Sequence, residues 1–449
     1  MIRKIKKILV EKNFQSLAGN MLTAGFGFLT FVILARTFDK EIFGEWVLYL
    51  TAAGFVEMFR FGITRTALIR FLSGAKGETQ KELIGSNWLI GLIVSLFIAV
   101  ILLGILWLFP QKIEDSGFQL FFLWYPVLAF LNLPFNNALT ILQARQQFDR
   151  IFIVRLLSSG LFFFGLLVNF IWFDMTLTEI VWFHLAVSAF TSLVTMLLNW
   201  DGSRYLFHAN NQQNKIILNF GKYTTITLIG TNLLKSADSF IIALSPLGVT
   251  AVALYSIPLK LTELLQIPLR SFVATAFPKM SKASIEKNIK MVRYYFYSYS
   301  GSITILFVPV ALITFVFSDF FVLILGGEKY LGIDPDTGAS ASYILKAFAI
   351  YGLLLPIDRL TGVGLDSINK PKKNFYKIIF MVVANIIGDL IAVFIFKSLM
   401  AVAIVTILFT LIGVIVGYYF LHQELDLKFR LIAIEGWKVY KNKFKEFTS

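Results

Sequence analysis

From Asn13 to Ala35 the chain is apolar almost without interruption. It carries Ser16, Asn20, Thr23, Gly27 and Thr30, which fall on one stripe at helical spacing. A short polar turn, Arg36 to Glu41, leads into a second apolar run from Ile42 that ends in charge at Glu57, Arg60, Arg65 and Arg70. A water-soluble helix hides its apolar face, whereas this hairpin is apolar nearly all round and hides a polar one. A spanning helix needs about 20 apolar residues. That criterion picks out twelve segments, at about 13–35, 42–64, 83–109, 118–141, 151–173, 179–199, 218–244, 251–276, 292–318, 341–365, 375–396 and 400–421. The expected fold is an all-α integral membrane protein.

Composition agrees: of 449 residues 57% are hydrophobic and 15% charged, which a globular enzyme does not reach. The net charge of +14 reads as topology, not as a nucleic-acid signal. With the N-terminus inside, the inner segments hold 30 of the 41 Lys and Arg, while the outer loops hold only Arg36, Lys40, Lys112, Lys329 and Lys397. Both termini are therefore expected in the cytoplasm. The basic start, Arg3 to Lys7, leads into an apolar run too long for a cleavable signal peptide. Cysteine is absent, which removes disulfides, thiolate catalysis and Cys-ligated metal.

The pattern divides the chain into a six-helix lobe over 1–200, an inter-lobe loop over 201–217, a second six-helix lobe over 218–422 and a basic amphipathic tail over 423–449. The tail alternates apolar residues with Lys and Arg, as an interfacial helix on an anionic leaflet does. The opening hairpin recurs. Leu34 to Trp46 can be laid over Ala243 to Tyr255 at a constant offset, matching a helix end, a short turn, a small residue (Gly44 or Ala253) and an aromatic (Trp46 or Tyr255). Two parallel repeats of six helices predict transporter architecture with a central cavity.

These features resemble a known family. Leu34-Ala-Arg36, Ile42-Phe-Gly44, Ala253-Leu-Tyr255, Phe277-Pro-Lys279 and the basic tail are similar to the Wzx-type polysaccharide flippases, relatives of the MATE drug exporters and the lipid II flippases. The resemblance implies a MATE-like two-lobed fold in the bacterial inner membrane and no enzyme activity. It implies flipping of undecaprenyl-diphosphate-linked oligosaccharide by alternating access. Implied partners are that lipid-linked oligosaccharide, membrane lipids, H⁺ or Na⁺, and polysaccharide polymerase machinery. No cofactor is implied.

Charges inside a bilayer cost roughly 2.5–3.5 kcal/mol each on insertion scales and mark candidate sites. Helix seven carries Thr224, Thr227, Thr231, Lys235 and Asp238 on one stripe; helix eight carries Ser256, Lys260, Glu263 and Arg270 on another. Counted along the helix, Lys260 lies about 14 Å deep, and Arg60, Arg270 and Arg359 about 27 Å in, toward the cytoplasmic mouth. A diphosphate calls for such cations, Arg with paired donors and Lys as a point charge. The expected substrate contacts are Lys260, Arg60, Arg65, Arg270, Arg359 and Lys235, with Lys260 first. The resemblance also places a basic residue of lipid II flippases near Lys260. The expected coupling-ion residues are Glu57, Asp238, Glu263 and Asp389. The plainer reading is internal neutralisation, through the i,i+3 pairs Lys235–Asp238 and Lys260–Glu263 and through Asp358 beside Arg359.

Other polar residues read more plainly. His184 suits hydrogen-bonded packing. Asp334 and Asp336 suit a solvated turn, with a cation site as the lesser alternative. No metal-ligand spacing, Gly-rich phosphate loop or nucleophile–base pair stands out. A cation exporter of the MATE type shares the fold but calls for a carboxylate-dominated lumen. A membrane glycosyltransferase needs a larger aqueous loop than any present.

Overall fold

The computed structural model describes residues 12–448, except the side chains of 12–18, 223–224, 226–228, 230–231, 234–235 and 443–448. Its helices, in order, are α1 Lys12–Thr37, α2 Lys40–Gly62, α3 Arg65–Leu72, α4 Glu78–Leu108, α5 Pro110–Asp115, α6 Gln119–Leu131, α7 Leu133–Ala144, α8 Phe148–Arg155 and α9 Leu161–Trp172. They continue as α10 Leu177–Leu197, α11 Asn211–Ala243, α12 Gly248–Ile285, α13 Ile289–Val316, α14 Ser318–Gly326, α15 Ala341–Ser367, α16 Pro371–Leu390, α17 Leu399–Leu425 and α18 Arg430–Thr448. A π-turn, Leu156–Gly160, joins α8 to α9, and another, Ile391–Ile395, extends α16. No strand occurs among the described residues.

Among the described residues ten helical stretches are long and apolar enough to cross a membrane, and the bent pair α6–α7 makes eleven. The chain is a multi-pass membrane protein. The predicted segment 118–141 is not one rod: it breaks at Asn132 by 48°. Pro126 lies inside α6 and Pro134 at the start of α7; each proline removes one backbone donor and crowds the preceding turn. The predicted segment 218–244 falls on α11. That helix has 33 residues, and several of its side chains lie outside the described ones.

The chain forms two compact units, 1–232 and 233–449, and their boundary falls inside α11. The sequence pattern places the division in the polar stretch 201–217 instead. That stretch is bound to α4. Trp88 Nε1 donates to the carbonyl of Asp201 at 2.8 Å, Asn210 N donates to Ser86 Oγ at 3.1 Å, and Asn210 Nδ2 donates to Glu82 Oε1 at 3.0 Å. The contact is close because position 85 is glycine; a Cβ there would lie 2.2 Å from the Tyr205 carbonyl oxygen. Ile217, the first buried apolar residue of α11, joins Leu68, Leu72, Leu83, Ile84 and Trp88 in one apolar cluster.

In each unit a short turn leads into a long helix. Asp39 precedes α2 and Leu247 precedes α12, and the matched aromatics Trp46 and Tyr255 are both fully buried. In the second unit, α18 does not float on the surface but crosses α13 at backbone contact. A Cβ on Gly301 would lie 1.9 Å from the Ile432 carbonyl oxygen, and one on Gly436 would lie 2.4 Å from the Gly301 carbonyl carbon. Tyr440 donates to the Ser302 carbonyl at 2.9 Å and Lys428 N donates to Tyr297 Oη at 2.7 Å, which fixes the crossing at both ends. Phe429 and Trp437 remain exposed. Small residues at a crossing let helices approach where side chains would hold them apart.

Candidate functional site

A buried polar cluster lies in the second unit, where four helices converge. Asp238 comes from α11, Tyr255 from α12, Asn385 and Asp389 from successive turns of α16, and Thr406 from α17; all are buried. Asn385 Nδ2 donates to both carboxylates, to Asp238 Oδ1 at 3.0 Å and to Asp389 Oδ2 at 2.9 Å. Tyr255 Oη donates to Asp238 Oδ2 at 2.7 Å and lies 3.2 Å from Thr406 Oγ1, whose own bond runs to the Val402 carbonyl. The i,i+4 spacing of Asn385 and Asp389 puts both side chains on one face of α16.

Neither carboxylate has an ion pair among the described side chains. Asp389 Oδ1 and Asn385 Oδ1 are buried without a hydrogen-bond partner. Two like charges this close in a low-dielectric interior need a proton or a cation to compensate them. The set is oxygen-only, with two carboxylates, an amide carbonyl and hydroxyls, which suits a small hard ion or a shared proton. Among the described residues no group of three or more His, Asp or Glu gathers as for a metal.

Glu57 lies in a different setting, in the first unit. It accepts from Tyr125 Oη at 2.9 Å and pairs with Arg60 at 3.0 Å. Arg60 is 1% exposed and turns inward, donating also to Ser95 Oγ at 3.0 Å and to the Ala129 carbonyl. Arg60 therefore ties α2 to α4 and α6 through its two Nη atoms, while its buried Nε has no hydrogen-bond partner. The sequence pattern places Arg60 toward an open mouth; the structure puts its side chain on a packed face of α2. Beside this network Tyr49 Oη meets His184 Nδ1 at 3.3 Å, with Trp46 and Phe162 against the imidazole. His184 thus packs within the unit.

The other cations divide into paired and unpaired. Lys260 is held by Glu263 at 2.8 Å, so this predicted neutralisation is present. Asp358 does not pair with its neighbour Arg359. It is buried and meets Lys377 of α16 at 2.6 Å, with the Asp358 carbonyl and Thr361 also accepting from that ammonium. Arg359 is left exposed, as is Arg270, and neither has an ionic partner among the described residues. Lys235 lies outside the described side chains, as do Thr224, Thr227 and Thr231. Asp334 accepts from Thr337 N at 3.0 Å and Thr337 Oγ1 at 2.9 Å, which is a turn.

A cavity of about 610 Å³ opens in the first unit, lined by α2, α3 and α7. Arg65 stands in it, donating to Gln143 Oε1 at 3.1 Å; Glu57, Thr66, Asn136 and Thr140 share the lining. From the opening polar stripe, Asn20 accepts from Arg155 at 2.5 Å, Thr23 is exposed and Thr30 is buried.

Sequence reasoning missed Asn385, Thr406 and Lys377. The Asn-x-x-x-Asp pattern on one helix was available as a signal, but its meaning depends on Asp238 and Thr406 arriving from two other helices.

Comparison with known proteins agrees with this architecture. "Lipid II flippase MurJ" in an inward closed conformation superposes with a TM-score of 0.72 at 14% identity, covering 94% of this chain and 90% of that one. An inward-facing multidrug resistance MATE family transporter of the MOP superfamily gives 0.74 at 15% identity, covering 93% and 98%. A MOP superfamily transporter from Pyrococcus furiosus, described as having a binding pocket of reverse polarity, gives 0.58 at 15% identity, covering 94% and 96%. These likenesses establish a MATE-like fold. No curated protein matches the chain. Residues 33–335 match a family model described as "Polysaccharide biosynthesis protein", and the chain belongs to that family of membrane flippases.

Proposed function

We propose that the protein flips polyprenyl-diphosphate-linked oligosaccharide from the cytoplasmic to the outer leaflet of a bacterial inner membrane, for surface polysaccharide assembly. Transport proceeds by alternating access past cationic side chains, with both termini in the cytoplasm. One observation carries the reading: Arg359 is exposed and has no ionic partner among the described residues, its neighbour Asp358 being paired with Lys377. An unneutralised arginine in a spanning helix is costly unless something anionic meets it. A diphosphate is such a group, and a guanidinium takes it with paired donors.

Arg65, Arg270 and Arg359 make the first contacts, and Lys260 follows once the diphosphate displaces Glu263 from the ammonium. A negative interior favours outward movement of the anion by about 2.3 kcal/mol per charge per 100 mV. The coupling ion, H⁺ or Na⁺, occupies the Asp238–Asp389 cluster. An organic cation would need a roomier carboxylate site than this buried one, so the cluster favours a small ion over drug export.

The test is flipping of a fluorescent polyprenyl-diphosphate sugar in proteoliposomes. Wild type and Arg359→Gln are compared at equal protein level, with and without a sodium or proton gradient. Equal rates for the two proteins would sink the assignment of Arg359. A rate indifferent to both gradients would sink the coupling role.

A further inference from the structure

The 610 Å³ cavity of the first unit differs in chemistry from the exposed arginines of the second. A phosphate cradle presents donors only, because a phosphate oxygen can only accept. A sugar carries hydroxyls, each both donor and acceptor, and is matched by side chains that offer both. The cavity lining has that balance. Asn136 gives its Nδ2 to the Asn132 carbonyl at 3.0 Å, and its carbonyl oxygen has no partner among the described residues. Gln143 is the mirror case: its carbonyl accepts from Arg65, and its amide nitrogen has no partner among the described residues. Thr66 adds an exposed hydroxyl, and Glu57 a carboxylate that Tyr125 and Arg60 hold in place.

Apolar surface from Phe61, Met58 and Leu139 completes the lining, and hexose rings pack their C–H faces on such surface. The volume lies within the range of ligand pockets, roughly 300–1,000 Å³. Arg65, the first residue of α3, also lines the cavity, so a cation joins an otherwise hydroxyl-matching surface.

We propose that this cavity is a glycan subsite. It takes the sugar next to the diphosphate, with Asn136 accepting from and Gln143 donating to ring hydroxyls, Glu57 accepting from a further hydroxyl, and Arg65 reaching the glycosidic phosphate. The inference rests on the flippase reading and adds to it the place where the sugar is recognised. Selection between glycans then depends on α3 and α7.

The absence of cysteine makes a direct test available. Single-cysteine forms of the full-length protein, Thr66→Cys and Asn136→Cys, are labelled with a maleimide. The probes are undecaprenyl diphosphate and undecaprenyl diphosphate bearing N-acetylglucosamine, and the thermal shift each produces is recorded alongside. The expected result is a stabilising shift with both lipids and slower labelling with the sugar-bearing one only, by about tenfold at ten times Kd. A shift with both lipids but equal labelling, protected or not, overturns the glycan subsite and leaves the flippase reading standing. No shift with either lipid overturns the flippase reading, and the subsite with it.

Discussion

Asp238 and Asp389 come from different helices, yet they share one hydrogen-bond donor, the Asn385 carboxamide nitrogen, at 3.0 and 2.9 Å. A single NH₂ group cannot balance two carboxylates. The pair is therefore held in register by Asn385 and left dependent on a proton or small cation for its charge.

Asp389→Asn removes one charge while keeping the shape. The carboxamide cannot supply the anionic ligand, so gradient-driven flipping falls by at least about tenfold, roughly 1.4 kcal/mol of coupling. Flipping driven by substrate concentration alone falls less. Proteoliposome assays with and without a sodium or proton gradient check this, and an unchanged gradient dependence would contradict it.

Arg60 and Arg359 predict opposite phenotypes. Arg60→Ala leaves Glu57 uncompensated in the interior of the first unit and costs about 3–5 kcal/mol, read as a lowered melting temperature in detergent. Arg359→Gln changes an exposed residue and leaves melting within about 0.5 kcal/mol of wild type, while flipping declines. Equal thermal stability of the two variants would show that the buried network does not carry the load assigned to Arg60.

Lys377→Met strands Asp358 in the same way and is expected to cost about 3–5 kcal/mol. Replacing both, with Lys377→Met and Asp358→Leu, recovers most of that loss because no buried charge remains. Thermal denaturation of the single and double variants forms the check; a double variant as unstable as the single one refutes the charge explanation.

Gly301→Ala places a methyl where the α18 backbone lies, at 1.9 Å from the Ile432 carbonyl oxygen, so the tail helix must lift. Limited proteolysis within residues 427–441 should speed up. Gly54→Ala, which meets nothing within 4 Å, should not change it. Comparable proteolysis of both variants would mean the tail is not seated on α13.

The membrane architecture was legible in the sequence because long apolar runs are local signals. The buried aromatics Trp46 and Tyr255 had been marked by the hairpin pattern. The roles of charged residues were legible only in part. Depth along a helix follows from counting, so Arg60 and Arg359 looked alike. Which face is packed depends on neighbouring helices, and that sends Arg60 inward to Ser95 and leaves Arg359 outside. Likewise Asp238 and Asp389 were each recognisable as embedded carboxylates, 151 positions apart in the chain. Only packing brings them onto one carboxamide.

The seating of residues 201–217 on α4, and of Ile217 in the first unit's apolar cluster, has a consequence for the order of biosynthesis. A chain emerging from the ribosome cannot complete the first unit when its sixth spanning segment is made. Trp88, Leu68 and Leu72 keep an open flank until α11 has also been inserted. Since α11 continues into the second unit, the first half waits in the bilayer for the opening helix of the second, and the two halves are joined by assembly order as well as by the peptide chain.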